Sequence, residues 1–390
     1  MAVRTVPRPL ERLRRAGCRV VVHGLLDKAS ALYDEAEWWS PELLRERQAE
    51  WLQATLTAAD ASSPFYRRRL REAGWSPLRR DGVDRLPPLR RDELVRHTQE
   101  IVTPGRRGLH RTSGGSGSAP VTIPVDRETY AWYIAGTWRG FRWWGIDPSD
   151  PICLLLGQSS GSRRHALVSR AKDWMLNWRR VPVDDRFDGE APQALRTIAR
   201  FAPAVLYGYP SAVHRLARAA GAGQARLRLR MIVLTGEPVY GVQRDQIVEA
   251  FQCPVAEEYG SGELGSVAFE CPHGALHVSA EAVFVETPPS EDGTGVGRLL
   301  ATHLRNRRCP LIRYETGDVG LLLPDGCRCG RGLPVLRVVG RERDRLIGDG
   351  VGELARPRVD RFMRLLPAHL AGAVQVTQPA PDAVVLRVDR

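Results

Sequence analysis

From Leu229 to Phe251 the chain reads LRMIVLTGEPVYGVQRDQIVEAF, an apolar run closed by Gly-Glu-Pro and followed by a mixed polar and apolar stretch. A short apolar run bounded by Gly and Pro predicts a buried strand, and the stretch from Val239 predicts a helix. Upstream the same unit recurs: a Trp- and Tyr-rich helix over 127–144, a strand over 151–156, a helix over 190–200, a strand over 204–207 and a helix over 211–220. Such alternation predicts an α/β fold. From Val255 to Leu323 the segments ALHVSAEAVFVE, GRLLATHL and GLLLP predict a mixed or antiparallel sheet. The first hundred residues read as helical, with Leu43, Leu44, Trp51, Leu52, Leu56 and Tyr66 at spacings of three and four. LPPLRRDELVRH (86–97) then gives a turn, with Asp92 placed to cap a following helix. No internal repeat or low-complexity segment interrupts the 390 residues.

Composition removes several function classes. The net charge of +12 is almost all arginine, with Lys28 and Lys172 the only lysines, and it alternates with Asp and Glu along the whole length. That is not the clustered stripe of a nucleic-acid binder, so no nucleic-acid partner is expected. No apolar run reaches the roughly 18 residues of a membrane span, and the Arg-rich N-terminus lacks the apolar core of a leader. A cytoplasmic protein without membrane association is expected. Seven cysteines, an odd number in a long chain, argue against a disulfide framework and make metal binding the sharper question. Cys18, Cys153, Cys253 and Cys309 sit in or near apolar stretches and read as small buried hydrophobes.

Thr112 to Pro120 reads TSGGSGSAP. Its glycines let backbone N–H groups turn toward an anion, and its hydroxyls can donate to phosphate oxygens. No lysine follows in the P-loop manner, and a Gly/Ser stretch alone is more often a linker. Five further segments follow it in order: YGYPS (207–211), LTGEPVY (234–240), EEYGSGELG (257–265), RYETGD (313–318) and GRERD (340–344).

In this order the six segments resemble the motifs of the adenylate-forming superfamily. SPFYRRRL (63–70), GYPS and ECPHGALHV (270–278) are similar to its phenylacetate–coenzyme A ligase branch and capsule-polysaccharide-associated relatives. The resemblance covers nearly the whole chain. It implies a large N-terminal AMP-binding domain of mixed sheets flanked by helices over 1–339, then a hinge and a shortened α+β domain over 340–390.

The resemblance also implies site roles. Thr112, Ser113, Gly114, Gly115, Ser116, Gly117 and Ser118 would wrap the β- and γ-phosphates of ATP. The family usually has threonine then glycine where Gly117 and Ser118 stand. Tyr259, flanked by Glu258 and Gly260, would lie against adenine, with Gly236, Glu237 and Pro238 as the other wall. Glu263 stands where the family holds its catalytic magnesium-binding glutamate. Asp318 would grip the ribose hydroxyls, and Arg341 would reach the ribose or the α-phosphate. Tyr207, Gly208, Tyr209 and Ser211, with Ser261, would line the acid pocket.

Cys271, His273 and His277 fall in one loop and strand, and Cys327 and Cys329 follow in the turn DGCRCGRG. Thiolates with an imidazole are the donor set of structural zinc, although Cys-x-Cys is shorter than the common spacing. Relatives in the same branch imply Cys271, Cys327, Cys329 and one histidine, His277, with His273 as the rival.

The implied activity is Mg-dependent activation of a carboxylic acid, aromatic by resemblance, as an acyl-adenylate. The acceptor is coenzyme A, an amine, an alcohol or a carrier-protein thiol, and self-association as a homodimer is left open. Only 46 residues (345–390) follow Asp344, and neither lysine lies beyond the hinge. Family members bring a lysine to the α-phosphate from that side. The expectation is therefore a slow or partner-dependent enzyme, or a silent nucleotide binder.

Overall fold

The computed structural model describes residues 26–76, 83–104, 108–112, 121–157, 163–184, 187–221, 227–288, 295–324, 326–342, 344–346, 353–354, 374–380 and 383–388. Residues 26–36 form α1. Ser40 starts α2 (Pro41–Ser62) by accepting the Leu43 N–H at 3.2 Å, with Pro41 at the first helical position. Ser63 ends α2 by donating its N–H to the Ala59 carbonyl, and its hydroxyl accepts from Tyr66 N to start α3 (Pro64–Glu72). In α4 (Arg91–Arg96) the cap position is Arg90, whose N–H donates to the Glu93 carboxylate at 3.1 Å. Asp92 therefore sits in the first turn, not at the cap; there the helix dipole favours it, and it accepts from Arg96 at 2.7 Å. The short α5 (Thr98–Ile101) follows, then the hairpin β1 (Leu109–Thr112) and β2 (Thr122–Val125). Asp126 accepts the Thr129 N–H at 2.8 Å and opens α6 (Arg127–Trp143).

The chain then alternates strand and helix as its apolar pattern predicts. β3 (Ile152–Leu156), α7 (Arg163–Met175), β4 (Trp178–Pro182), α8 (Phe187–Phe201), β5 (Val205–Gly208), α9 (Pro210–Gly221), β6 (Met231–Thr235) and α10 (Gly241–Phe251) lead into β7 (Val255–Ser261). The strands are parallel in the order β4-β3-β5-β6-β7. Leu155, Leu206 and Ile232 from the strands pack with Ile198, Leu216 and Ile247 from the helices. Gly208 ends β5 because a Cβ there would lie 2.5 Å from both the Leu155 carbonyl oxygen and its Cβ.

Beyond β7 the strands are antiparallel. β8 (Gly265–Glu270), β9 (Leu276–Val278), β10 (Val283–Glu286), β11 (Gly297–His303), β12 (Tyr314–Leu323) and β13 (Val335–Arg341) order as β10-β11-β12-β13-β9-β8. Two antiparallel hairpins complete the description: β14 (Arg345–Leu346) with β15 (Glu353–Leu354), and β16 (Val374–Ala380) with β17 (Ala383–Val388).

By internal contacts, Phe141–Glu258 belongs to one compact unit and Leu26–Gly140 with Tyr259–Asp344 to a second. In the second unit, α2 buries Leu44, Leu52 and Leu56, and Gln48 Nε2 donates to the Ala280 carbonyl at 2.8 Å. Gly140 on α6 is obligatory, because a Cβ would fall 2.2 Å from the Phe269 ring. Nearby, Arg139 is buried with its guanidinium 4.2 Å from the Tyr33 ring centre, bonded to Glu281 at 2.8 Å and to Ser279 at 3.2 Å. Burial raises the Glu281 carboxyl above its ordinary range, and Arg139 opposes that shift. Among the described residues no helix is long and apolar enough to cross a membrane.

Removing one member of a buried ion pair strands the other charge. Arg139→Met is expected to lower the unfolding free energy by about 3–5 kcal/mol, and adding Glu281→Gln should restore part of it; urea unfolding of the three variants checks this.

Candidate functional site

In the second unit the predicted ribose residue is held from two sides. Asp318 lies on β12 opposite Arg341 of β13. Its Oδ1 is 3.1 Å from Arg341 Nε, and its Oδ2 accepts from the Tyr259 hydroxyl at 2.8 Å. Gly317 makes the geometry available: its φ is +77°, its carbonyl accepts from Glu342 N at 3.0 Å, and Asp318 N donates to Thr316 Oγ1 at 3.1 Å. Burial and the adjoining carboxylate push the Tyr259 phenol far up, so it remains a proton donor to Asp318. Arg341 also donates to the Thr316 carbonyl. Tyr259, Asp318 and Arg341 thus form one cluster.

The segment after Tyr259 is a tight hairpin. Ser261 accepts the Leu264 N–H at 3.1 Å, so its hydroxyl shapes the turn. Gly260 cannot carry a Cβ, which would sit 2.2 Å from the Gly265 carbonyl oxygen; Gly265, at φ +72°, would collide with the Tyr133 ring. Tyr133 donates to the Glu263 carbonyl at 2.5 Å. The Glu263 side chain is buried, 3.2 Å from Arg91 Nη1 and 3.3 Å from the Tyr314 hydroxyl. Sequence reasoning missed Tyr133, Arg91 and Tyr314. Tyr314 lies inside RYETGD and Arg91 inside LPPLRRDELVRH, but nothing in either motif says which carboxylate they face.

In the first unit the other candidates gather at the carboxyl ends of parallel strands, where ligands of such sheets bind. Tyr209 follows β5, and Gly236, at φ +80° after β6, would place a Cβ 2.8 Å from its ring. The Glu237 carboxylate accepts the Ser211 N–H at 3.1 Å, which ties the β6 turn to the start of α9. Pro238 completes that turn and is half-buried. Glu258 is buried and accepts from the Tyr207 hydroxyl at 2.6 Å. Thr112 ends β1, exposed and bonded to Thr122 at 2.9 Å. Ser113, Gly114, Gly115, Ser116, Gly117 and Ser118 lie outside the described residues.

The four sulfur and nitrogen donors also meet. One donor atom each from Cys271, His277, Cys327 and Cys329 lies within 4.8 Å of the others. Cys271 Sγ is 3.7 Å from Cys327 Sγ, and Cys329 Sγ is 3.2 Å from His277 Nε2. Those separations match a tetrahedron with metal–sulfur bonds of about 2.3 Å. His277 Nδ1 lies 3.2 Å from the Leu333 carbonyl, which fixes the ring with Nε2 toward the thiols. Burial lowers the His277 imidazole to about 4, so it is neutral, as a ligand must be. His273 is exposed and outside the group. The Cys327–Cys329 turn is closed by Gly330 at φ +79°, and Gly332 N donates to the Glu37 carbonyl at 3.0 Å.

No protein-family model matches the chain. Over 345 residues it is 28% identical to the phenylacetate-coenzyme A ligase of Thermus thermophilus, covering 81% of this chain and 74% of that one. It is 27% identical to the Escherichia coli phenylacetate-coenzyme A ligase over 346 residues, covering 82% and 76%. The chain is thus similar to phenylacetate-coenzyme A ligases over about four-fifths of its length. Its fold agrees: a 2-hydroxyisobutyryl-CoA ligase solved in complex with an acyl-AMP superposes with a TM-score of 0.76 over 91% of this chain and 80% of that one, at 20% identity.

The Tyr259–Asp318 bond ties the EEYGSGELG segment on β7 to RYETGD on β12. Tyr259→Phe leaves Asp318 Oδ2 without its donor and is expected to lower stability by about 1–2 kcal/mol, as read by chemical denaturation.

Proposed function

We propose that this chain uses ATP to convert a carboxylic acid to an acyl-adenylate and passes the acyl group to coenzyme A. The carrying observation is the Tyr259–Asp318–Arg341 cluster in a chain similar to phenylacetate-coenzyme A ligases. Asp318 accepts from the ribose hydroxyls, as a carboxylate does best. The ring of Tyr259, fixed through its own hydroxyl, offers a face to adenine. Arg341 neutralises Asp318 and is close enough to the same carboxylate to meet the ribose or the α-phosphate. Ser113 to Ser118 hold the β- and γ-phosphates. Residues 1–339 act as the AMP-binding domain, with the hinge beginning at 340.

The carboxylate oxygen attacks the α-phosphorus in line, the bond to pyrophosphate breaks, and the coenzyme A thiolate then attacks the acyl carbonyl with release of AMP. Tyr207, Gly208, Tyr209 and Ser211 line the acid site. An aromatic acid is the substrate class, supported by the phenylacetate-coenzyme A ligase names of two relatives. Glu263 is the magnesium residue, and bound magnesium neutralises charge on the phosphate oxygens. The donor chemistry suits it: a buried carboxylate whose contacts to Arg91 and Tyr314 fall on Oε1, with Oε2 making no hydrogen bond among the described residues.

Zinc is the metal of the Cys271, His277, Cys327 and Cys329 group. Four protein donors leave no open position, so its role is structural: it pins the β12–β13 turn to β8 and β9.

Two outcomes are expected. Aryl acids with ATP should release pyrophosphate, and Asp318→Ala should weaken AMP binding by roughly 100-fold, the loss of about two charge-assisted hydrogen bonds; unchanged AMP affinity by calorimetry would refute the ribose assignment. Purified protein should contain about one zinc per chain by elemental analysis, and a Cys327→Ser protein that keeps its metal would remove the zinc assignment.

A further inference from the structure

Glu263 caps the β7–β8 hairpin with its side chain 3% exposed. A buried carboxylate needs a counter-charge, and here Arg91 of α4 supplies it at 3.2 Å. The Tyr314 hydroxyl donates to the same Oε1 at 3.3 Å, while Tyr133 holds the backbone of the residue from below. Oε2 makes no hydrogen bond among the described residues. The guanidinium is about one-third exposed (32%), so an anion in solvent can reach it.

This arrangement conflicts with a metal binding by itself. A divalent cation arriving at Oε2 would face the positive charge of Arg91 across one carboxyl group, in surroundings that screen poorly. Magnesium also sheds water reluctantly, and one carboxylate gives it little in return. A polyphosphate changes both conditions, because its negative charge offsets the repulsion and gives the guanidinium a further anionic partner.

We propose that Arg91 is a resident counter-ion that keeps divalent metal off Glu263 until nucleotide phosphate arrives. The inference rests on the reading of Glu263 as the magnesium residue. Arg91 is a positioning residue in this scheme: it sets the order in which metal and nucleotide bind, and no bond is made or broken on it.

The test uses Mn2+ as the probe, followed by loss of its free paramagnetic resonance signal, with the full chain as wild type, Arg91→Gln, Glu263→Gln and the double variant. Circular dichroism first establishes that each is folded. Wild type should bind Mn2+ weakly alone and tightly with a non-hydrolysable ATP analogue. Arg91→Gln should bind Mn2+ alone at least ~10-fold more tightly than wild type, and the double variant should lose that gain. A merely structural role for Arg91 would not create metal affinity. If folded Arg91→Gln binds Mn2+ alone no better than wild type while Glu263→Gln weakens binding of the Mn2+–nucleotide complex, the counter-ion role is wrong and the magnesium reading stands. If Glu263→Gln leaves that complex unaffected, both fall. Tight nucleotide-free Mn2+ binding by wild type, abolished in Glu263→Gln, overturns the proposal whatever Arg91→Gln does.

Discussion

Asp318 is a partly buried carboxylate with a phenol on one oxygen and a guanidinium near the other. A lone carboxylate in that position would be driven toward protonation, whereas this one has its charge matched and one donor already aligned. The strand register that sets Asp318 opposite Arg341, the left-handed turn at Gly317 and the burial of Tyr259 all serve this arrangement. The Asp318 carboxylate is thereby held from two sides within a strand paired on both edges.

The motifs were legible because each carries its own reason. Gly260 and Gly265 cannot tolerate a Cβ, and Gly236 turns beside Tyr209 at a positive φ, so the glycines of EEYGSGELG and LTGEPVY mark backbone that no other residue could form. The strand and helix units from β3 to α10 were equally plain, since apolar runs and amphipathic stretches alternate there. What stayed hidden was pairing over long separations. Glu263 meets Arg91 across 172 positions and Tyr133 meets Glu263 across 130, and local patterns carry no sign of either. The capping of α4 was misread for a smaller reason: Asp92 is a good cap residue, but Arg90 with Glu93 starts the helix earlier.

The cysteines show the reverse situation. Their spacing was ambiguous as a sequence, since two histidines lay within reach and Cys-x-Cys is uncommon. Geometry narrows the choice, because His277 sits on a strand with its far nitrogen anchored by the Leu333 carbonyl, while His273 is on an exposed turn. The same turn that presents Cys327 and Cys329 bonds onward to the backbone of Glu37 through Gly332. The residue just after α1 is thereby connected to the turn of the thiol cluster by main-chain atoms, and the Arg331 guanidinium of that turn lies 3.5 Å from the Glu37 carboxylate.

Glu258 and Tyr259 are neighbours on β7, yet alternation along a strand sends them to opposite faces, one onto Tyr207 and the other onto Asp318. A single inserted or deleted residue ahead of them would exchange those faces and disconnect both attachments together. The length of this one strand is therefore under a constraint that no point substitution would reveal.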